Sequence, residues 1–324
     1  KIRNYALNNP LSDWLDLYGN DHGFTRDDKL ENYDLRTDFT QFIFRKGREF
    51  EDAVVKHIQK TVPVSVLGTD WRRSRSLEAA EETFATMCNG DPVIAQGILR
   101  DAENQTYGLA DLLVRSDELL KLFPGCMTSE EAQTPAPDIP LSNWHYRVLD
   151  IKYSTLNFNA DGNLSDTSGS SWAYKLQVYI YNRMLGRLQG FHPPETFLLG
   201  RGWKQTRKKE NFRGTNCMDR LAVVPMDHTS KSKGSLSSNV DLALSWLRRV
   251  RSEGQNWQVL PEPSIPELRP NMKFTEDYPW HNAKQLIASE LEDLTLLWNV
   301  GLKQRDLAQE IGLDQLFVKF EGSN

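Results

Sequence analysis

Apolar and polar positions recur with two periods along this chain, and the changes between them predict alternating helices and strands. A polar opening segment, residues 1–36, contains one short helix over residues 11–18. A long helix follows over residues 38–60, with only Gly47 to weaken it. Residues 64–67 predict a short strand, and residues 77–89 a helix stopped at Asn89-Gly90. A hairpin comes next, with strands over 93–100 and 105–115 turning at residues 101–104. Residues 121–143 carry Pro124, Pro135, Pro137 and Pro140 and read as an irregular insertion. Residues 146–153 form a further strand, 154–171 a loop rich in Asn, Asp, Gly and Ser, and 172–188 a helix with Ser170 or Ser171 as N-cap. Strands over 195–200 and 221–225, a mobile Ser/Lys-rich stretch at 229–238, and helices over 240–251, 281–300 and 303–311 complete the pattern. The proline-rich residues 261–270 mark a boundary. The expectation is an α/β protein with a central mixed β-sheet flanked by helices (residues 37–258), an N-terminal extension (1–36) and a helical C-terminal extension (259–324).

Within the strand at 146–153, Val148, Asp150 and Lys152 point one way and Arg147, Leu149 and Ile151 the other. An acid and a base thus stand side by side in an apolar strand, where a charge needs a partner. Such a pair is as readily a structural ion pair as a reactive one. The spacing alone decides nothing, because Asp27-Asp28-Lys29 repeats it in a polar stretch. Asp111 is a second acid in an apolar strand, with Gly108 three residues before it; its partner is either a cation from the chain or a divalent metal shared with Asp150. In the helix at 38–60, Glu51 lines up with Val55 and Ile58 at the edge of the buried stripe, whereas Glu49 lines up with Ala53, Lys56 and Lys60 on a wetter face. Gln177 and Tyr181 lie one turn apart on the helix at 172–188, away from a core stripe of Trp172, Leu176, Ile180 and Met184.

Bulk properties narrow the field. A net charge of −5 means that any nucleic-acid contact depends on a local basic patch. Arg201, Trp203, Lys204, Arg207, Lys208, Lys209 and Arg213 make such a cluster, although a solvated loop reads the same way. The three cysteines, Cys88, Cys126 and Cys217, are too few and too scattered for a four-cysteine iron–sulfur cluster, and their sparseness fits an intracellular compartment. No run approaches the length of a membrane span. The chain begins without Met, as a trimmed or partial chain does.

The order of these pieces resembles the PD-(D/E)xK nuclease superfamily, in its RecB-like branch with Cas4-type and lambda-exonuclease-type relatives. The resemblance rests on a helical acid in residues 47–55, Gly-x-x-Asp at 108–111, Asp-x-Lys at 150–152 and Gln-x-x-x-Tyr at 177–181. It covers about residues 40–200. It implies a restriction-endonuclease-like core and hydrolysis of phosphodiesters, most readily of DNA, by an exonuclease or end-processing enzyme. It also implies Mg2+ or Mn2+ held by Asp111, Asp150 and the Ile151 carbonyl, with Glu51 supporting the metal; Lys152 at the attacking water and the phosphate; and Gln177 and Tyr181 orienting Lys152 or the substrate. The expected partner is DNA, single-stranded or with free ends, and a larger protein assembly. Two departures stand out: Phe50 replaces a histidine found in many relatives, and the iron–sulfur cysteines are missing. A rival reading is a nucleic-acid-binding or assembly module of the same fold with weakened catalysis.

Overall fold

The computed structural model describes residues 2–68 and 76–313. Its helices and strands in chain order are α1 (Arg3–Ala6), α2 (Leu11–Tyr18), α3 (Phe39–Ile58), β1 (Val64–Val66), α4 (Leu77–Cys88), β2 (Val93–Asp101), β3 (Thr106–Arg115), α5 (Ser116–Leu122) and α6 (Ser129–Ala132). There follow β4 (Tyr146–Phe158), α7 (Ser171–Gln189), β5 (Glu195–Arg207), β6 (Glu210–Gly214), β7 (Ala222–Pro225), β8 (Thr229–Ser230), β9 (Gly234–Ser235), α8 (Leu236–Glu253), α9 (His281–Glu290) and α10 (Leu302–Glu310).

Contacts divide the chain into two units, residues 42–240 and residues 1–41 with 241–324. The first holds an α/β arrangement around a seven-stranded mixed sheet in the order β1-β2-β3-β4-β5-β6, with β7 also on β5. β1 runs parallel to β2 and β4 parallel to β5; the β2–β3, β3–β4, β5–β6 and β5–β7 pairs are antiparallel. Strand alternation sorts the side chains. Leu149 and Ile151 of β4 join Ala95, Leu112, Val114, Phe197 and Leu199 in a core closed by Val54 and Ile58 of α3. The helix α7 packs on β2, β3, β4 and β5, and its stripe Trp172, Leu176, Ile180 and Met184 is buried as expected.

Several boundaries differ from the sequence expectation. β4 continues to Phe158, so residues 154–158 are strand rather than loop, and a register shift between Lys152 and Thr155 absorbs the change of pairing from Gly200 to Gly202. β5 continues through the basic residues to Arg207 and pairs with β6, so the basic run is a hairpin and not a loop. The run lacks an apolar alternation because residues 203–207 have no fully buried face. Residues 229–235 form the small β8–β9 hairpin. The insertion at 121–143 contains α6, whose Glu131 pairs with the fully buried Arg147 of β4. The expected helix at 281–300 ends at Glu290, and residues 294–296 form only a 3-10 turn.

The second unit has its own core. Leu11, Trp14, Leu15 and Phe24 from the start of the chain pack with Trp246, Val250, Trp257, Leu268, Trp280 and Ile287 from its end. The N-terminal extension, residues 1–36, thus shares a core with residues beyond 240. Among the described residues no helix is long and apolar enough to cross a membrane.

Candidate active site

The sheet is interrupted where the candidate residues meet. The β3–β4 ladder pairs Arg115 through Leu112 with Tyr146 through Leu149 and goes no further. At the next position Asp111 Oδ2 accepts the Ile151 backbone N–H at 2.7 Å. A side-chain carboxylate here does the work of a strand carbonyl, which fixes Asp111 beside Asp150. The β2–β3 ladder also skips one position, between Ala95–Leu112 and Gly97–Ala110. The residue facing that gap from β2 is Gln96, with φ +58°.

Asp150 is completely buried. Lys152 Nζ lies 2.5 Å from its Oδ2 and hydrogen-bonds to it, while Oδ1 is left without a hydrogen-bond partner. Lys152 Nζ donates to Gln177 Oε1 at 3.0 Å, and Gln177 Nε2 donates to Tyr181 Oη at 2.8 Å. Lys152 also sits 5.0 Å over the Tyr174 ring. Gly108 explains how α7 comes this close: a Cβ there would lie 2.8 Å from Tyr181 Cδ1, nearer still to Cε1, and 3.1 Å from Met184 Cε. The Gly-x-x-Asp and Gln-x-x-x-Tyr motifs are therefore one packing unit, the glycine making room for the tyrosine.

Electrostatics tie the acids together. Burial, then Asp150, then Glu51, push Asp111 well above the usual carboxylate range. Burial and the charges of Asp150 and Asp52 push Glu51 up as well. Burial pulls the Lys152 ammonium down, but Asp150 and Asp111 more than offset it and hold Lys152 above its ordinary range. Lys152 is thus a cation at neutral pH, suited to stabilising negative charge and unsuited to taking a proton. Burial and Asp150 likewise raise Tyr181.

Glu51 is the α3 acid that belongs to this group: it feels Asp150 and Lys152 and accepts a hydrogen bond from Gln96 Nε2. Glu49 instead pairs with Lys46 at 2.6 Å. Phe50 packs against the core with Ile151 and Leu149 and lies 5.8 Å from the Tyr153 ring, so its place is filled by packing. Arg201 stacks on the other participant in that contact, 4.7 Å from the Tyr153 ring.

The remaining basic residues lie on the β5–β6 hairpin. Lys204 and Arg213 are direct cross-strand partners, and with Arg207, Lys208 and Lys209 they are exposed. Lys208 and Lys209 form the turn with φ +50° and +68°. Trp203 is less available than expected: Arg220 covers its ring at 5.0 Å while also stacking on Phe158 at 3.8 Å. The exposed aromatic of the hairpin is Phe212.

Among the described residues, no group of three or more His, Cys, Asp or Glu side chains stands arranged to hold a metal ion. The donor chemistry is nevertheless that of a hard divalent cation. Asp150 offers a buried Oδ1 with no hydrogen-bond partner, and Asp111 and Glu51 are acids whose ionisation their surroundings oppose. A cation bound by these carboxylates would offset their mutual repulsion. Gln96 was not among the sequence candidates, although a lone amide inside the apolar run 93–99 is the same signal that singled out Asp111 in its strand. No protein-family model matches the chain, and no curated protein matches it.

Proposed function

We propose that this chain is a metal-dependent nuclease of the PD-(D/E)xK type, RecB-like, hydrolysing phosphodiester bonds of DNA at free or single-stranded ends. The observation that carries this reading is the buried Asp150–Lys152 pair, continued through Gln177 to Tyr181 and flanked by Asp111 on the Ile151 N–H. A structural ion pair needs neither a second buried acid nor a relay to a neighbouring helix. Asp111, Asp150, the Ile151 carbonyl and Glu51 would hold Mg2+ or Mn2+, which supplies Lewis acidity at the phosphate and lowers the pKa of water. Lys152, kept cationic by the same carboxylates, donates to a phosphate oxygen and stabilises the charge that develops during in-line attack. Gln177 fixes the Lys152 ammonium, and Tyr181 fixes Gln177. Arg201, stacked on Tyr153 close to this centre, and Lys204, Arg207, Lys208, Lys209 and Arg213 on the hairpin contact the phosphate backbone.

The test is incubation with linear and circular, single- and double-stranded DNA in Mg2+, Mn2+ or EDTA, beside Lys152→Ala. Metal-dependent cleavage lost in the variant is the expected result, and cleavage of linear but not circular DNA identifies an exonuclease. Binding without cleavage in any metal supports the rival, a nucleic-acid-binding or assembly module, for which Phe50 speaks because packing occupies the place of the relatives' histidine.

A further inference from the structure

We infer that Gln96 is a positioning residue, which holds the Glu51 carboxylate of α3 at the acids of the sheet. Its kinetic arm rests on the nuclease reading; its structural arm does not.

Gln96 lies inside β2, between Ala95 and Gly97, both of which pair regularly with β3. Its φ of +58° is a left-handed conformation that glutamine rarely adopts and that glycine or asparagine adopts more readily. A strand held in register on both sides gains nothing in packing from such a residue. The distortion has one visible consequence. Ala95 belongs to the core beneath α3, so regular alternation would aim residue 96 away from that helix. With the backbone turned, the Gln96 amide reaches α3 and donates to Glu51 Oε1. The gap in the ladder lies opposite Asp111, whose carboxylate is bound to Ile151 N–H. The strained amide and the two acids therefore occupy one corner of the sheet. Strain of this kind concentrates at functional sites, where the surroundings hold it in place.

The surroundings do hold it. Gly68 lies so close that a Cβ would fall 2.7 Å from both the Cβ and the carbonyl oxygen of Gln96. Gly97, next in the strand, meets Leu113 Cδ1 at 2.8 Å by the same measure. Gly68 thus makes room for the turned backbone, and Gly97 for the Leu113 side chain. Glutamine suits the task chemically: it is neutral, so it adds no charge to a corner that already holds three acids, and its NH2 can donate to a carboxylate. A lysine in its place would compete with Lys152, and a glutamate would repel Glu51.

The deciding variant is Gln96→Gly, with Gln96→Asn beside it. Both residues accept the left-handed backbone, so folding is retained, and both lack the reach to Glu51. If Gln96 were only a structural oddity, Gln96→Gly would relieve strain, melt higher and cleave as the parent does. The inference predicts instead an unchanged or raised melting temperature together with a kcat reduced about tenfold to a hundredfold and an unchanged KM, the scale of one lost supporting contact. It further predicts that Gln96→Gly adds no loss in a Glu51→Gln background, because both act through the same carboxylate. A crystal structure of Gln96→Gly supplies the readout independent of activity: the Glu51 carboxylate should leave the acids of the sheet for solvent. Glu51 unmoved in that structure, or full kcat in both variants of a cleaving enzyme, overturns the inference. If the parent cleaves no substrate, the nuclease reading fails alone and the position of Glu51 still decides.

Discussion

Asp27-Asp28-Lys29 and Asp150-Ile151-Lys152 have the same spacing and opposite fates. The first forms a 3-10 turn, where residues two apart point in different directions. Asp27 there accepts the backbone N–H groups of His281 and Asn282 at 2.8 and 3.0 Å and so caps α9. Asp28 pairs with Arg26 at 2.9 Å, and Lys29 is exposed. The second lies on β4, where residues two apart share a face, and that face meets α7. Its aspartate is fully buried and its lysine lies against it. The secondary structure, and not the triplet, decides whether the pair becomes a helix cap or a charged centre.

The contrast can be broken at several points. The largest effect should come from the lysines: Lys152→Ala should lower the cleavage rate about 10²- to 10³-fold, the scale of a lost transition-state donor, while Lys29→Ala leaves it unchanged in the same assay. Gly108→Ala tests the support that only the second triplet has. Its new methyl group meets Tyr181 and Met184, and such overpacking should destabilise by about 1–3 kcal/mol in chemical denaturation and reduce cleavage. Asp27→Ala should cost about 1 kcal/mol through loss of the α9 cap, with the cleavage rate untouched; a loss of activity would mean that the first triplet is more than a cap.

A subtler difference is one of sign. Because Asp111 is raised in the folded state, stability is lost as the pH rises from the ordinary carboxylate value to the folded-state value, and the penalty is full above it. Below the ordinary carboxylate range both states hold the proton and the penalty vanishes. Asp111→Asn, which keeps an oxygen for the Ile151 N–H, should therefore melt higher than the parent in EDTA at pH 8, and the gap should close as the pH falls through the carboxylate range. Equal melting curves for parent and Asp111→Asn at pH 8 would remove the electrostatic argument for a cation at the site.

Much of this was legible because charges in apolar strands are conspicuous. Asp111, Asp150 and Lys152 stood out in the pattern, and the face of Glu51 separated it from Glu49, which pairs with Lys46 at the surface. The coupling of Gly108 to Tyr181 was not legible, because 73 residues separate a missing side chain from the ring that uses the space. Gln96 escaped because its role depends on a backbone angle that glutamine does not signal. The strand through Arg207 escaped because residues 203–207 have no fully buried face and so display no apolar alternation. The core shared by the two ends of the chain depends on contacts such as Trp14 Nε1 to the Gly254 carbonyl at 2.8 Å, which no local pattern encodes.

The central claim is that Asp111 and Asp150 share a cation that Asp27 does not. Crystals soaked in MnCl2 and measured at the manganese absorption edge address it without reference to any substrate. The account predicts one anomalous peak in contact with the Asp111 and Asp150 carboxylates, absent from Asp111→Asn crystals. A peak elsewhere, or none under conditions that support cleavage, would contradict it.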